Sequence, residues 1–159
     1  MYQMILFLER GDGMQKSTYR IETELEVKTY LDRLHHALDN GAVINIQIER
    51  KVDENRDIKY TNKYTLANLF PDENPKDALR RELRTLTVND YLRTVKDTRF
   101  PNRSEMREFG KVYNKMDEIY IKIRVELLDP ANFGRETAFV MSFHYAETSF
   151  EEEDFPYKK

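Results

Sequence analysis

A chain of 159 residues that is 40% hydrophobic and 35% charged can bury one core without staples and is too apolar to remain disordered. It has no cysteine, which excludes disulfides, thiolate nucleophiles and cysteine-ligated metals. Its formal net charge of −3 argues against a general nucleic-acid binder.

The first apolar stretch, Met4 to Leu8, has no basic region before it and is too short for a signal-peptide core or a bilayer-spanning helix. It reads as a strand, and together with the missing cysteines it points to a cytoplasmic protein with no membrane segment. Gly11-Asp12-Gly13 is a turn signal and Ser17 to Thr23 alternates, so residues 1–25 read as an N-terminal hairpin. The spacing of Val27, Leu31, Leu34 and Leu38 predicts a helix over Glu26 to Asn40, closed by Asn40-Gly41. Ala42 to Glu49 follows as a strand, and Asp53 to Asp57 as a surface turn. Short helices are expected at Lys63 to Phe70, stopped by Pro71, and at Asp77 to Leu86. Thr87-Val88-Asn89-Asp90 has the form of an acidic capping box and predicts a further short helix carrying Tyr91, Leu92, Arg93 and Val95. Phe100 to Arg103 is an extended turn. Arg107 to Tyr113, Glu118 to Leu128 and Glu136 to Tyr145 then read as a three-stranded meander.

The expected fold is therefore α+β: a hairpin and helices packed on a mainly antiparallel sheet. Residues 1–147 form one domain and residues 148–159 an acidic tail. The charge is uneven along the chain. Nine basic residues from Arg80 to Lys111 face five acids in the same span, whereas Glu147, Glu151, Glu152, Glu153 and Asp154 stand without a base among them.

The middle strand of the meander alternates cleanly, with Ile119, Ile121, Ile123, Val125 and Leu127 on one face and Tyr120, Lys122, Arg124 and Glu126 on the other. If Phe139, Met141, Phe143 and Tyr145 point inward in the next strand, Ser142 and His144 join Tyr120, Lys122 and Arg124 on the outer face. Such a set suits RNA cleavage without metal. Histidine is the natural proton-transfer group near neutrality, cations answer the phosphorane charge, and a tyrosine hydroxyl can donate. The basic segment, with Lys96, Arg99 and Lys111, could track a phosphate backbone, and Tyr91, Tyr113 and Tyr120 could stack on unpaired bases. The plainer readings are a surface histidine, solvated helix faces and a solubilising tail. His35 and His36 have no partner at metal-ligand spacing, and no metal or cofactor is expected. Phosphate-binding loops, dinucleotide fingerprints, nucleophile elbows and helix-turn-helix patterns are absent from the sequence.

Four stretches resemble the MqsR-type toxins, which belong with the RelE-like ribonucleases. Leu38-Asp39-Asn40-Gly41-Ala42-Val43 is similar to the family's helix, glycine turn and strand. Leu86-Thr87-Val88-Asn89-Asp90-Tyr91-Leu92-Arg93-Thr94 is similar to its Leu-Ser-x-x-Asp-Phe-Tyr-Lys-Ser. Ile119-Tyr120-Ile121-Lys122-Ile123 is similar to its Val-Tyr-Leu-Lys-Ile, and Val140-Met141-Ser142-Phe143-His144 to its terminal Val-Ser-Phe-Lys. The resemblance covers about residues 28–145. It implies a RelE-like fold, mRNA as substrate (free or on the ribosome) and a cognate antitoxin protein as partner. It carries the family's catalytic residues onto Arg93, Tyr120 and His144; the expected RNA-binding cations, read from the outer strand face and the basic segment, are Lys122, Lys111, Arg124, Lys96 and Arg99. The family's catalytic glutamine falls on Gly110, a departure that Lys111 beside it could offset. The rival reading is a non-enzymatic inhibitor of the kind mobile elements carry, of anti-CRISPR or antirestriction type. It would bind a nuclease through the acidic tail, where Phe150, Phe155 and Tyr157 are interleaved with the acids.

Overall fold

Thr23 starts the first helix by accepting the amide of Glu26 on its hydroxyl at 3.2 Å, leaving α1 to run over Glu24–Asp39. At its other end Asn40 returns its amide to His36 and Ala37, and Gly41 takes a φ of 78°, the left-handed turn that glycine accepts without strain. Arg80 then donates to the carbonyls of Leu38 and Ala42, so the C-terminal end of α1 meets a fixed cation. The predicted stripe of Val27, Leu31, Leu34 and Leu38 is buried throughout. Each such side chain contributes roughly 1.5–3 kcal/mol relative to exposure.

The computed structural model describes residues 3–9, 13–49, 55–129 and 135–159. Its strands are β1 (Gln3–Glu9), β2 (Gly13–Arg20), β3 (Val43–Ile46), β4 (Tyr91–Asp97), β5 (Met106–Tyr113), β6 (Asp117–Asp129) and β7 (Arg135–Tyr145). They form one seven-stranded sheet in the order β1-β2-β4-β5-β6-β7-β3. Among the described residues only the β3–β7 pair is parallel; the other neighbours are antiparallel. The fold is thus α+β, and the N-terminal hairpin extends the sheet through β2–β4 pairing. Its tip at Gly11-Asp12, Asp53 and Glu54 of the predicted Asp53 to Asp57 turn, and the link at 130–134 lie outside the described residues. Helices α1, α2 (Asn62–Leu69) and α3 (Pro75–Leu83) cover one face. There Leu31, Leu34, Leu66, Leu79 and Leu83 meet Ile44, Ile119, Ile121, Ile123, Val140 and Phe143. Among the described residues no helix is long and apolar enough to cross a membrane.

The expected helix after Thr87 is a strand. The capping box does form, with Asp90 accepting the Thr87 amide at 2.9 Å, but it closes a single 3-10 turn, Val88–Asp90, and β4 follows at once. The register slips between Tyr91 and Arg93, so the apolar positions Tyr91, Leu92 and Val95 lose strict alternation and imitate helical spacing. Pairing with β2 and β5 decides the segment.

A second irregularity sits in β7. Lys122 pairs with Ser142, yet Ile123 pairs with Val140, which makes Met141 an extra residue. Asn62 of α2, itself 2% exposed, plugs this bulge: its amide donates to Met141 O and Gln47 O, and its carbonyl accepts the Phe143 amide at 2.9 Å. The expectation that Phe139 and Phe143 share the inward face is corrected by this bulge. Phe143 faces the helices, whereas Phe139 pairs with Arg124 on the opposite side.

Residues after β7 pack on the domain. Ala146 and Phe150 donate to Glu118 through its backbone and side chain. The Phe150 and Phe155 rings meet edge to face at 5.5 Å. Tyr157 stacks on Tyr91 at 6.1 Å and donates its hydroxyl to Glu22 O. The aromatics of the acidic segment therefore turn inward while Glu151, Glu152 and Glu153 stay exposed.

Candidate functional site

Register builds the site from three strands. Gly110, Tyr120 and His144 lie in one row across β5, β6 and β7, and Glu108, Lys122 and Ser142 in the next. Arg93 continues the second row on β4 as the partner of Glu108. The Tyr120 and His144 rings are 5.6 Å apart and tilted by 40°. His144 Nδ1 lies 2.9 Å from Tyr145 O, a contact that puts the ring proton on Nδ1 and leaves Nε2 as the basic nitrogen. Arg93 Nε donates to Glu108 at 2.8 Å and its guanidinium lies 5.2 Å from the Tyr19 ring. Arg124 stacks on Phe139 at 4.6 Å.

His144, Ser142, Tyr120, Lys122 and Arg124 share one face of the sheet, as strand parity predicts. It is not a solvated face. Tyr120 and Ser142 are 0% exposed, Glu108 1%, and Lys122 and His144 2%. Clean alternation identifies two faces but cannot tell a wet one from one covered by other parts of the chain. Arg93 lies beyond Glu108, two strand spacings (roughly 10 Å) from Lys122. It shares the face, two strands away from Tyr120.

Three other expectations change. Lys111 pairs with Ile119, so it points to the face opposite Gly110 and donates to the Thr85 hydroxyl at 2.8 Å; it does not replace a side chain at 110. Gly110 has its own local reason. A Cβ there would sit 2.9 Å from the Phe150 ring and 3.1 Å from that of Phe155, so the tail occupies the space a glutamine would need. Tyr91 and Tyr120 are not stacking platforms, being fully buried, and Tyr113 packs against Phe70 and Phe143.

The basic segment is largely committed to internal partners. Arg81 pairs with Glu73 and Glu82, Arg84 with Asp39, Arg99 with Asp97, and Arg107 with Glu22. Lys96 is half-buried on β4. The charge count along the sequence therefore overstates the cationic surface.

Sequence reasoning missed two residues. Glu108 was hidden because its carboxylate between two cations depends on register. Glu22 anchors a network on the helix-covered side: it accepts from Arg107 Nε at 2.8 Å and from the Thr94 hydroxyl, and Thr94 bonds the Tyr91 phenol at 2.8 Å. Burial pushes the Glu22 carboxyl up, but the bonds from Arg107 and Thr94 and the charges of Arg107 and Arg20 outweigh it and hold it below the usual range. Burial pushes the Tyr91 phenol up to about 12, so it stays neutral. Among the described residues no cluster of three or more histidine or carboxylate side chains could hold a metal ion.

Comparison with family models, characterised proteins and solved structures finds no match for this chain.

Proposed function

We propose that the chain is a metal-independent endoribonuclease of the MqsR and RelE-like kind, with mRNA as substrate. The observation that carries this reading is the contact between Tyr120 and His144 beside the buried cation Lys122. Buried charged and polar rows contribute little net stability, so function is a common reason for keeping them. In the reaction His144 Nε2 takes the proton of the ribose 2′-hydroxyl. The 2′-oxygen bonds to phosphorus, the bond to the 5′-oxygen breaks, and that oxygen leaves with the proton returned by the His144 imidazolium. The products are a 2′,3′-cyclic phosphate and a 5′-hydroxyl end. Lys122 offsets charge on the phosphorane, Tyr120 donates to a phosphoryl oxygen, and Arg93 holds Glu108 and steers the incoming strand. Because this row is enclosed, activity requires the covering segments to part. Toxin–antitoxin organisation, with a dedicated antitoxin, follows from the same reading.

The test is induced expression of wild type and His144→Gln in a bacterial host, with RNA ends mapped. Growth arrest and new 5′-hydroxyl ends with wild type alone support the reading; identical RNA from both strains sinks it.

A second reading is favoured by one observation: Glu151, Glu152 and Glu153 are exposed on a turn anchored by Phe150, Phe155 and Tyr157. An ordered acidic knob suits a basic cleft on a nuclease, as an inhibitor would need. Triple replacement of these glutamates by lysine keeps the anchors. It abolishes inhibition under this reading and leaves RNA cleavage intact under the first.

A further inference from the structure

The turn between β4 and β5 carries an aromatic ring that the core does not use. Phe100 is 46% exposed and takes no part in the core cluster. Two successive turns fix its place. Its amide donates to Asp97 O at 3.1 Å, and its own carbonyl accepts the Arg103 amide at 3.1 Å. Pro101 sets φ at the first central position of the second turn. The Asp97 side chain accepts the Arg99 amide at 2.9 Å and so holds the approach. Two guanidiniums flank the ring, Arg103 at 4.5 Å and Arg99 at 5.8 Å from its centroid. A ring held this way has already lost much of the freedom that binding would otherwise remove.

Charge at the turn is unbalanced toward the positive. Each carboxylate around it is matched by a cation: Asp97 by Arg99 at 2.6 Å, Glu105 by Arg20 at 3.0 Å and Glu126 by Arg124 at 3.1 Å. Arg103 is exposed and makes no ion pair among the described residues, so its charge is the surplus. The turn also borders the face that carries the proposed ribonuclease row. Asp97 follows Arg93 by four residues on β4, roughly 13 Å along the strand. Its carboxyl is held below the usual range by its bonds to Arg99 and, more weakly, by the charge of Lys122. A flat exposed ring beside planar cations suits a ligand that has both a π face and phosphates. An unpaired nucleotide has both, whereas a duplex hides its base faces.

We propose that the β4–β5 turn is a stacking platform for single-stranded RNA, with one unpaired base on Phe100 and the adjoining phosphates on Arg103 and Arg99. The Arg99 side chain is 59% exposed and Arg103 is exposed beside it, so both are free to swing from the ring to the phosphates as the base arrives. The choice of RNA rests on the ribonuclease reading above; the stacking itself does not.

The experiment is fluorescence anisotropy of the full chain with labelled 2′-O-methyl decauridine, which lacks the attacking hydroxyl and so reports binding without cleavage. The comparison probes are an abasic strand of the same length and decathymidine. Phe100→Ala should weaken decauridine binding about tenfold, the loss of one stacked base, and Phe100→Tyr should restore it. Arg103→Ala should weaken it several-fold and make it less sensitive to salt by about one phosphate contact. Arg84→Ala, an exposed charge paired with Asp39, should change nothing. The abasic strand should bind wild type and Phe100→Ala equally and weakly. Melting temperatures level with wild type show that these surface variants are folded. No binding of decauridine, equal affinity in Phe100→Ala, or an abasic strand bound as tightly as decauridine overturns the platform, as does tighter binding of decathymidine. Failure of the ribonuclease reading looks different: unmodified RNA stays whole while the Phe100-dependent binding persists.

Discussion

The contact between the C-terminal segment and Gly110 gives a prediction whose size can be worked from the structure. A methyl at Gly110 would meet Phe150 Cε2 and Cζ at 2.9 Å and Phe155 Cζ at 3.1 Å, closer than real Cβ contacts. The two rings pack on each other, and Phe150 is also tied by its amide to Glu118 at 2.8 Å, so they cannot simply swing aside. Overpacking of this kind costs roughly 1–3 kcal/mol, offset by about 0.5 kcal/mol because alanine suits a strand better than glycine. Gly110→Ala should therefore destabilise by about 1–2 kcal/mol. Gly110→Gln, which restores the family's residue, fills the ring positions altogether and undocks the segment. Half-burial of two phenylalanines is worth about 1–1.5 kcal/mol each, and the Phe150 amide bond about 1 kcal/mol. Residues 148–159 should thus become about 3–4 kcal/mol less protected. Urea denaturation reads the first effect, and amide hydrogen exchange at 150–157 reads the second. If Gly110→Gln keeps both wild-type stability and wild-type protection there, the packing argument is refuted.

Asn62→Ala removes the plug from the β7 bulge and leaves Phe143 N, Met141 O and Gln47 O without their partner; a loss of about 3–5 kcal/mol is expected by denaturant unfolding. Tyr157→Phe deletes the bond to Glu22 O but keeps the stack on Tyr91, and should cost only about 1 kcal/mol, read as a small drop in melting temperature. Glu22 has a folded pKa below its unfolded value of 4.5, so its stabilisation is present above pH 4.5 and fades as pH falls through the folded value. Unfolding measured from pH 6 down to pH 3 should show that acid limb in wild type. Glu22→Gln should flatten it, and an unchanged slope would show that Glu22 does not carry it.

Much of the frame was legible in the sequence because it rests on local rules. The Val27, Leu31, Leu34 and Leu38 stripe, the Asn40-Gly41 stop and the alternation of Ile119 to Val125 each follow from one element's own periodicity. What escaped depends on partners distant in sequence. The residues after Thr87 carry a true capping box, yet pairing with β2 and β5 makes them a strand. The Met141 bulge exists because Asn62, nearly eighty residues away, satisfies the groups it frees. The shared face of Tyr120, Lys122, Ser142 and His144 could be read from parity, but its burial could not. Nor could the reason for Gly110, since Phe150 and Phe155 are forty or more residues away.

The central claim is that the Tyr120–His144 row cleaves RNA through the 2′-hydroxyl. The most direct measurement is incubation of purified protein, in the presence of a metal chelator, with an unstructured RNA and with the same strand carrying a 2′-deoxynucleotide at the mapped cleavage site. Wild type should cut the RNA to a cyclic phosphate and a 5′-hydroxyl end and should spare the deoxy position. His144→Gln, shown to be folded by its unfolding curve, should cut neither. Cleavage that persists at the deoxy position, or in folded His144→Gln, would contradict the account.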